Sequence, residues 1–257
     1  MTAEKLYESI KQRFSDLLEA EGILNEPVTV VCRALSPEEA IGRTKRRDFP
    51  IITGKDIMIQ AECLGGRGQA FTDAPASFSG TLAEILTLDI TRDAHARGLF
   101  IAALNAVMES LGKCTGTIHC RTEGPELCAQ DARLYLRSRY PAVRNVTLIG
   151  YQPALLEMLA GSGYQVRALD LNPANIGQTR YGVVIEDGDG ALRDALDSAD
   201  LILCTGSTLC NGTIVNFLDL ETEVLFYGIS AAGCAALFGW KRLCFADRYT
   251  EQETNNS

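Results

Sequence analysis

Between residues 146 and 227, short apolar runs alternate with helical stretches, and this alternation restricts the fold more than any other feature of the chain. Val146-Thr147-Leu148-Ile149, Val166-Arg167-Ala168-Leu169, Val183-Val184-Ile185, Leu201-Ile202-Leu203-Cys204 and Val224-Leu225-Phe226-Tyr227 predict strands. Residues 153–159, 192–199 and 211–220 predict helices between them, with Pro153 in a first turn where its missing N–H does no harm. Strands separated by helices imply crossover units and a mainly parallel sheet. The expectation for this part is a Rossmann-like α/β fold.

The preceding residues follow another pattern. Leu6, Ile10, Phe14, Leu17 and Leu18 recur at helical spacing, with Gly22 as a stop. Residues 27–32 and 57–63 predict strands, and the glycines of Gly65-Gly66-Arg67-Gly68 predict a break in regular structure. Long helices are expected from about 92 to 111 and from about 123 to 140. A few strands followed by helices is an α+β pattern. Proline disfavours helix in the residue before it, so Arg139-Tyr140-Pro141 marks the expected boundary. The expected organisation is an α+β domain over 1–140, an α/β domain over 141–250 and a disordered polar tail over 251–257.

Charge narrows the partners. The whole chain carries −9, and residues 141–257 contribute −7 of it, from 7 basic and 14 acidic side chains. No basic footprint for nucleic acid or for an anionic membrane surface exists. The short basic run Arg43-Thr44-Lys45-Arg46-Arg47 reads first as a solvated loop and second as an anion site. Nothing approaches the roughly 18 apolar residues of a membrane span. Met1 to Leu6 lack the layout of a signal peptide. The expectation is a cytoplasmic protein whose nine cysteines are reduced thiols.

In open parallel sheets ligands bind outside the carboxyl ends of the strands. That rule selects Gly150-Tyr151-Gln152-Pro153, Asp170-Leu171-Asn172-Pro173, the nine residues from Thr205 to Thr213, and Gly228-Ile229-Ser230. Gly150 and Asp170 have the spacing of a dinucleotide fingerprint, but Gln152 and Leu155 stand where its other glycines belong. Their bland roles are a tight turn and a cap. The nine-residue loop gathers Thr205, Ser207, Thr208, Asn211 and Thr213 with Gly206 and Gly212, enough polar groups for a ligand-facing loop as well as a helix cap. Cys204, Cys210 and Cys234 could meet near it, yet their spacing matches no zinc pattern and core packing is the plainer reading. Cys114, His119, Cys120 and Cys128 form a second cluster, also without a known ligand spacing. No G-x-S-x-G elbow or P-loop is present.

Gly68-Gln69-Ala70-Phe71-Thr72-Asp73, Gly150-Tyr151-Gln152-Pro153 and the stretch from Thr205 to Thr213 resemble the family described as "putative heavy-metal chelation", a domain family of unknown function. The resemblance covers about residues 5 to 247. It implies an enolase N-terminal-like domain followed by a Rossmann-like domain, with a site in the cleft between them. Two departures stand out: Gly228-Ile229-Ser230-Ala231 replaces the family's Gly-Pro-Ser type turn, and Cys210 replaces an apolar residue.

The reading that follows is a cleft for a small polar or anionic ligand, a metal ion or a metal chelate. Thr205, Ser207, Thr208, Asn211 and Thr213 would supply hydrogen bonds, with Thr72, Gly150, Pro153, Gly206, Gly212 and Ser230 around them. Asp73 and Asp170 would be the acidic groups, and Phe71 and Tyr151 the apolar walls. Three alternatives stand beside it: an enzyme making or modifying a chelator with Asp73 or Asp170 as base, a nucleotide-dependent oxidoreductase, and a regulatory partner protein with an empty cleft. A homo-oligomer is compatible with all of them.

Overall fold

The computed structural model describes residues 1–31, 48 and 57–249. The basic run at 43–47 and the tail at 251–257 lie outside them.

Helix α1 (Ala3–Glu21) starts where the Thr2 hydroxyl accepts from the Lys5 N–H and ends at Gly22, whose left-handed φ of 70° closes the last turn. Its buried face is Leu6, Tyr7, Ile10, Phe14 and Leu18. Strands β1 (Pro27–Val31), β2 (Ile57–Cys63), β3 (Gly66–Thr72) and β4 (Phe78–Thr81) form an antiparallel sheet in the order β3-β2-β1-β4. A short helix α2 (Leu82–Thr87) follows behind a capping box of Thr81 and Glu84.

Of the glycines expected to break structure, Gly66 and Gly68 are instead inside β3. The turn is confined to Leu64 and Gly65, and β2 and β3 pair from Ile57↔Thr72 to Cys63↔Gly66. The physical reason lies in helix α3 (Ala94–Ser110), which presses on this strand. A Cβ on Gly68 would lie 2.2 Å from Ala106 N and 2.3 Å from Ala102 O. Glycine here permits helix and sheet backbones to touch. Twelve of the seventeen residues of α3 are buried, including every one from Gly98 to Met108. A helix that is apolar all round must be covered on all sides. One side meets β2 and β3, and another meets elements of the second half.

Helix α4 (Gly124–Arg139) packs on helix α5 (Pro153–Ala160), which follows strand β5 (Asn145–Ile149). Thus α4 lies before residue 140 yet shares a core with the second sheet, through Ala129, Ala132, Leu136, Leu156 and Leu159. Strand β6 (Gln165–Asp170), the two-residue β7 (Thr179–Arg180), strand β8 (Val183–Asp187) and helix α6 (Leu192–Asp197) come next. They are followed by β9 (Leu201–Thr205), helix α7 (Thr208–Asn211), β10 (Val224–Tyr227) and helix α8 (Ala232–Phe238). The sheet order is β10-β9-β5-β6-β8-β7, parallel except for the antiparallel β7–β8 pair. The molecule is therefore a mixed α/β fold with one antiparallel and one mostly parallel sheet.

Two sequence expectations need correction. The helix expected over 211–220 is a single α-turn, Thr208–Asn211, followed by a 3-10 turn, Thr213–Phe217. Gly212 separates them with φ of 87°, which no α-helix interior accommodates. Helix α8 was not expected, because Ala231 to Cys234 carries too few bulky apolar residues for a helical periodicity. Aspartates at and after α6 tie it to the sheet. Asp194 pairs with Arg167 at 2.5 Å, and Asp200 accepts the N–H groups of Arg144 and Asn145. Among the described residues no helix is long and apolar enough to cross a membrane.

Candidate functional site

In the parallel sheet, β5 and β9 are neighbours, yet their next strands, β6 and β10, lie on opposite sides of the pair. The chain direction across the sheet reverses there, and such a reversal opens a crevice beyond the strand ends. A cleft of about 460 Å³ occupies that place. The size suits a small molecule, for which sites of roughly 300–1,000 Å³ are usual.

Gly150 forms the floor. Its φ is 87°, and a Cβ would lie 2.7 Å from Thr205 Cγ2, so the ends of β5 and β9 meet across it. Tyr227 fixes the same turn from β10, its hydroxyl shared between the carbonyls of Ile149 at 2.9 Å and Gly150 at 2.7 Å. Asp170 accepts the Tyr151 N–H at 2.7 Å and the Asn172 N–H at 2.6 Å, one on each carboxylate oxygen. It ties two strand-end loops together, which is the cap-like role. Gln152 caps α5, its Oε1 accepting the Leu155 N–H at 2.6 Å. That amide is one a bound pyrophosphate would use, so the side chain takes the anion's place. Burial, and then its hydrogen bond to Asp48, raises the Tyr151 phenol well above the usual range.

The loop after β9 is largely self-satisfied. Thr205 Oγ1 and Ser207 Oγ lie 2.9 Å apart, Thr208 donates to the Thr205 carbonyl at 2.7 Å, and Asn211 Oδ1 accepts from Thr213 N and Oγ1. These residues line the cleft, but much of their hydrogen bonding builds the loop. Gly206 lets it pass close to α8: a Cβ there would lie 2.6 Å from Ala231 N.

The opposite wall comes from the first sheet. Phe71, Thr72 and Asp73 reach the cleft from the end of β3. Ser230 holds them there by accepting the Phe71 N–H at 2.9 Å. Behind this contact sits Asn105, fully buried on α3. Its Nδ2 donates to Gln69 O at 2.9 Å and lies within reach of Ile229 O and Ser230 O, while its Oδ1 accepts the Gly233 N–H at 2.7 Å. One side chain thus joins β3 to the loop after β10.

Of the residues that the sequence offers as ligand-facing, all but Gly212 line this cleft, whereas Cys114, Cys204 and Cys234 do not. Those that sequence reasoning missed carry no local signature. Tyr7 on α1 donates to Leu209 O at 2.6 Å, and Arg97 on α3 donates to Cys210 O at 2.9 Å, Ile90 O and Thr91 O. They satisfy carbonyls at the end of α7 that so short a helix leaves unpaired. We expect Arg97→Met to cost about 2–4 kcal/mol and lower Tm by roughly 5–10 °C, read by calorimetry. A shift under about 1 °C would show that these contacts do not hold the loop.

The fourth wall bears sulfur. Cys120, Cys128 and Cys244 line the cleft together with His119. Cys244 arrives because the chain after α8 returns alongside β10, Phe226 N donating to Lys241 O and Leu243 N to Phe226 O. The Cys128 sulfur accepts the Phe245 N–H at 3.4 Å, and its thiol is pushed up to about 12, chiefly by the neighbouring Cys120. Burial lowers His119 to about 4, so its ring is neutral near pH 7. The eight cysteines among the described residues are free thiols. Cys204, Cys210 and Cys234 are fully buried, and burial pushes Cys210 up to about 12. Among the described residues no three His, Cys, Asp or Glu side chains are placed to hold a metal ion together.

No curated protein matches the chain. A crystal structure from Pyrococcus horikoshii, of a protein of unknown function in the DUF364 family, covers 86% of this chain and 78% of its own at 18% identity, with a TM-score of 0.50. At that identity the likeness is one of fold. A second, from Desulfitobacterium hafniense and the same family, covers 71% and 72% at 14% identity and a TM-score of 0.46. The model of that family, described as "Putative heavy-metal chelation", matches residues 136–241, from the end of α4 past α8. The strands and loops that form the switch-point side of the cleft therefore lie within the stretch that is similar to the DUF364 family, a family of unknown function.

Proposed function

We propose that the cleft binds a small polar or anionic ligand, with a heavy metal or a metal chelate among the candidates, in a cytoplasmic two-domain protein. One observation carries the reading. The end of β3 reaches the switch point of the parallel sheet and is held there by Ser230, giving a cleft lined from two separate sheets. The strand order around β5 and β9 supports a Rossmann-like assignment for 141–250. The four-stranded antiparallel sheet followed by helices supports an enolase N-terminal-like assignment for 1–140. The exposed carboxylate of Asp73 and the hydroxyls of Thr205 and Ser207 give the rim hydrogen-bonding capacity, while Phe71, Ile149, Leu155 and Phe217 give it apolar walls. Binding is favoured over base catalysis by Asp170, because both of its oxygens already hold backbone N–H groups.

Native mass measurement and elemental analysis of the purified protein test this directly. The expected result is a bound mass or metal in the wild type that Asn211→Ala loses. Asn211 is exposed, and its removal costs only a local turn, about 1 kcal/mol or less. An unaltered adduct in that variant would remove Asn211 from the site. A wild type that carries neither mass nor metal, and gains none when candidate chelates are added, would sink the reading.

A further inference from the structure

Asp170 stands where a diol-binding acid belongs. It closes β6, the strand that follows β5 and α5, and lies 20 residues after Gly150. In nucleotide-binding parallel sheets an acid at that strand end takes ribose hydroxyls. The Tyr151 N–H holds Oδ2 and the Asn172 N–H holds Oδ1, so the carboxylate is fixed in direction. A carboxylate has about four acceptor sites, so each oxygen keeps one for a hydroxyl. The loop after β8 lies against this point. Gly188 N donates to Asp170 O at 2.9 Å, and a Cβ on Gly188 would lie 3.1 Å from Leu171 Cδ2. Leu171 and Leu192 add apolar surface to the cleft there, and the exposed carboxylate of Asp189 adds a group that only accepts.

The same cleft is poorly made for phosphate. Its lining carries the carboxylates of Asp73, Asp170 and Asp189, and among the described residues no Lys or Arg reaches it. At the start of α5, Pro153 has no N–H and the Leu155 N–H is taken by Gln152 at 2.6 Å. A phosphate would meet carboxylates with no cation, and with two of the first three helix amides missing or taken. We propose that the cleft binds a nucleoside that carries no phosphate, its ribose diol on Asp170 and its base against Leu171 and Leu192, with an exocyclic amine donating to Asp189. The proposal rests on the cleft being a ligand site and names the class of ligand. Apolar surface suits the faces of a base, two fixed acceptors suit a vicinal diol, and a carboxylate at the edge selects a base with an amine over one with carbonyls alone.

The test is calorimetry of the full chain with adenosine, guanosine, cytidine and uridine, followed by the 2′-deoxy form and the 5′-monophosphate of each binder. At least one amine-bearing nucleoside should bind, with uridine, the deoxy form and the monophosphate each weaker by about tenfold or more. Asp189→Ala should weaken binding by a similar factor. Asp197→Ala, which removes the same charge from α6 outside the cleft, should leave it unchanged. Asp170→Ala should abolish binding, and because Asp170 also ties two loops, circular dichroism identifies a variant that fails to fold. The deoxy nucleoside then decides without any variant. No binding by any of the nucleosides, equal binding of uridine, tighter binding of a monophosphate, or indifference to the 2′-hydroxyl overturns the proposal. If the purified protein in that event still carries another adduct, only the nucleoside class has failed. If it carries none and takes up no chelate either, the reading of the cleft as a ligand site has failed with it.

Discussion

Alanine at Gly68 is expected to leave the protein unfolded or to lower its stability by about 4 kcal/mol or more. The added methyl group would lie 2.2 Å from Ala106 N, 2.3 Å from Ala102 O and 2.7 Å from Asn105 C. All three are backbone atoms of α3, so no rotamer change relieves the overlap. Either the helix lifts from β3 or the strand leaves its register. Lifting the helix would uncover a stretch from Gly98 to Met108 that has no solvent-facing residue. Gly98 is the matching control on the same interface. A Cβ there meets side-chain atoms of Ile59 and Thr72 at 3.3–3.4 Å, which can give way. Gly98→Ala should therefore cost little or gain up to about 1 kcal/mol from helix propensity. Denaturant melts of the two variants decide the matter. Equal stability of Gly68→Ala and wild type would mean that α3 does not sit on β3 as described.

Leucine at Asn105 should destabilise by about 3–5 kcal/mol, a fall in Tm of roughly 10–15 °C. The side chains are similar in volume, so the loss would come from polar groups rather than from a cavity. Gly233 N sits in the first turn of α8, where the helix supplies no acceptor, and Asn105 Oδ1 is the partner it has. Gln69 O loses its donor as well. A buried group left unpaired costs about 1–3 kcal/mol. The loss also falls on the cleft, because the loop after β10 carries the Ser230 hydroxyl that holds Phe71. Hydrogen exchange should show the amides of Phe71 and Gly233 losing protection together. A thermal shift under about 2 °C, with both amides still protected, would refute the bridging role.

Much of the second half could be read from the chain. Its strands β5, β9 and β10 are mainly apolar runs because both faces of a parallel sheet are covered there, and that pattern stays legible without partners. The strand-end rule then pointed at four loops, and residues from all four line one cleft. The first half was harder. Glycine in β3 is a packing choice imposed by α3, and a local reading of four residues with three glycines can only propose a break. Polar residues in the loop after β9 were read as facing a ligand, but Thr208 and Asn211 spend their side chains on Thr205 O and on Thr213. Composition shows how many polar groups a loop has and not which of them it uses on itself.

The sequence by itself determined the five parallel strands between residues 145 and 227 and the loops at their carboxyl edge, because periodicity and turn chemistry act over a few residues. Only the tertiary structure decided that Asn105 bridges the two sheets, that Tyr7 and Arg97 carry the loop from across the chain, and that Cys244 joins Cys120 and Cys128. Those arrangements join residues more than 100 positions apart, and a contact made by the return of a distant segment leaves no trace in the spacing of either partner.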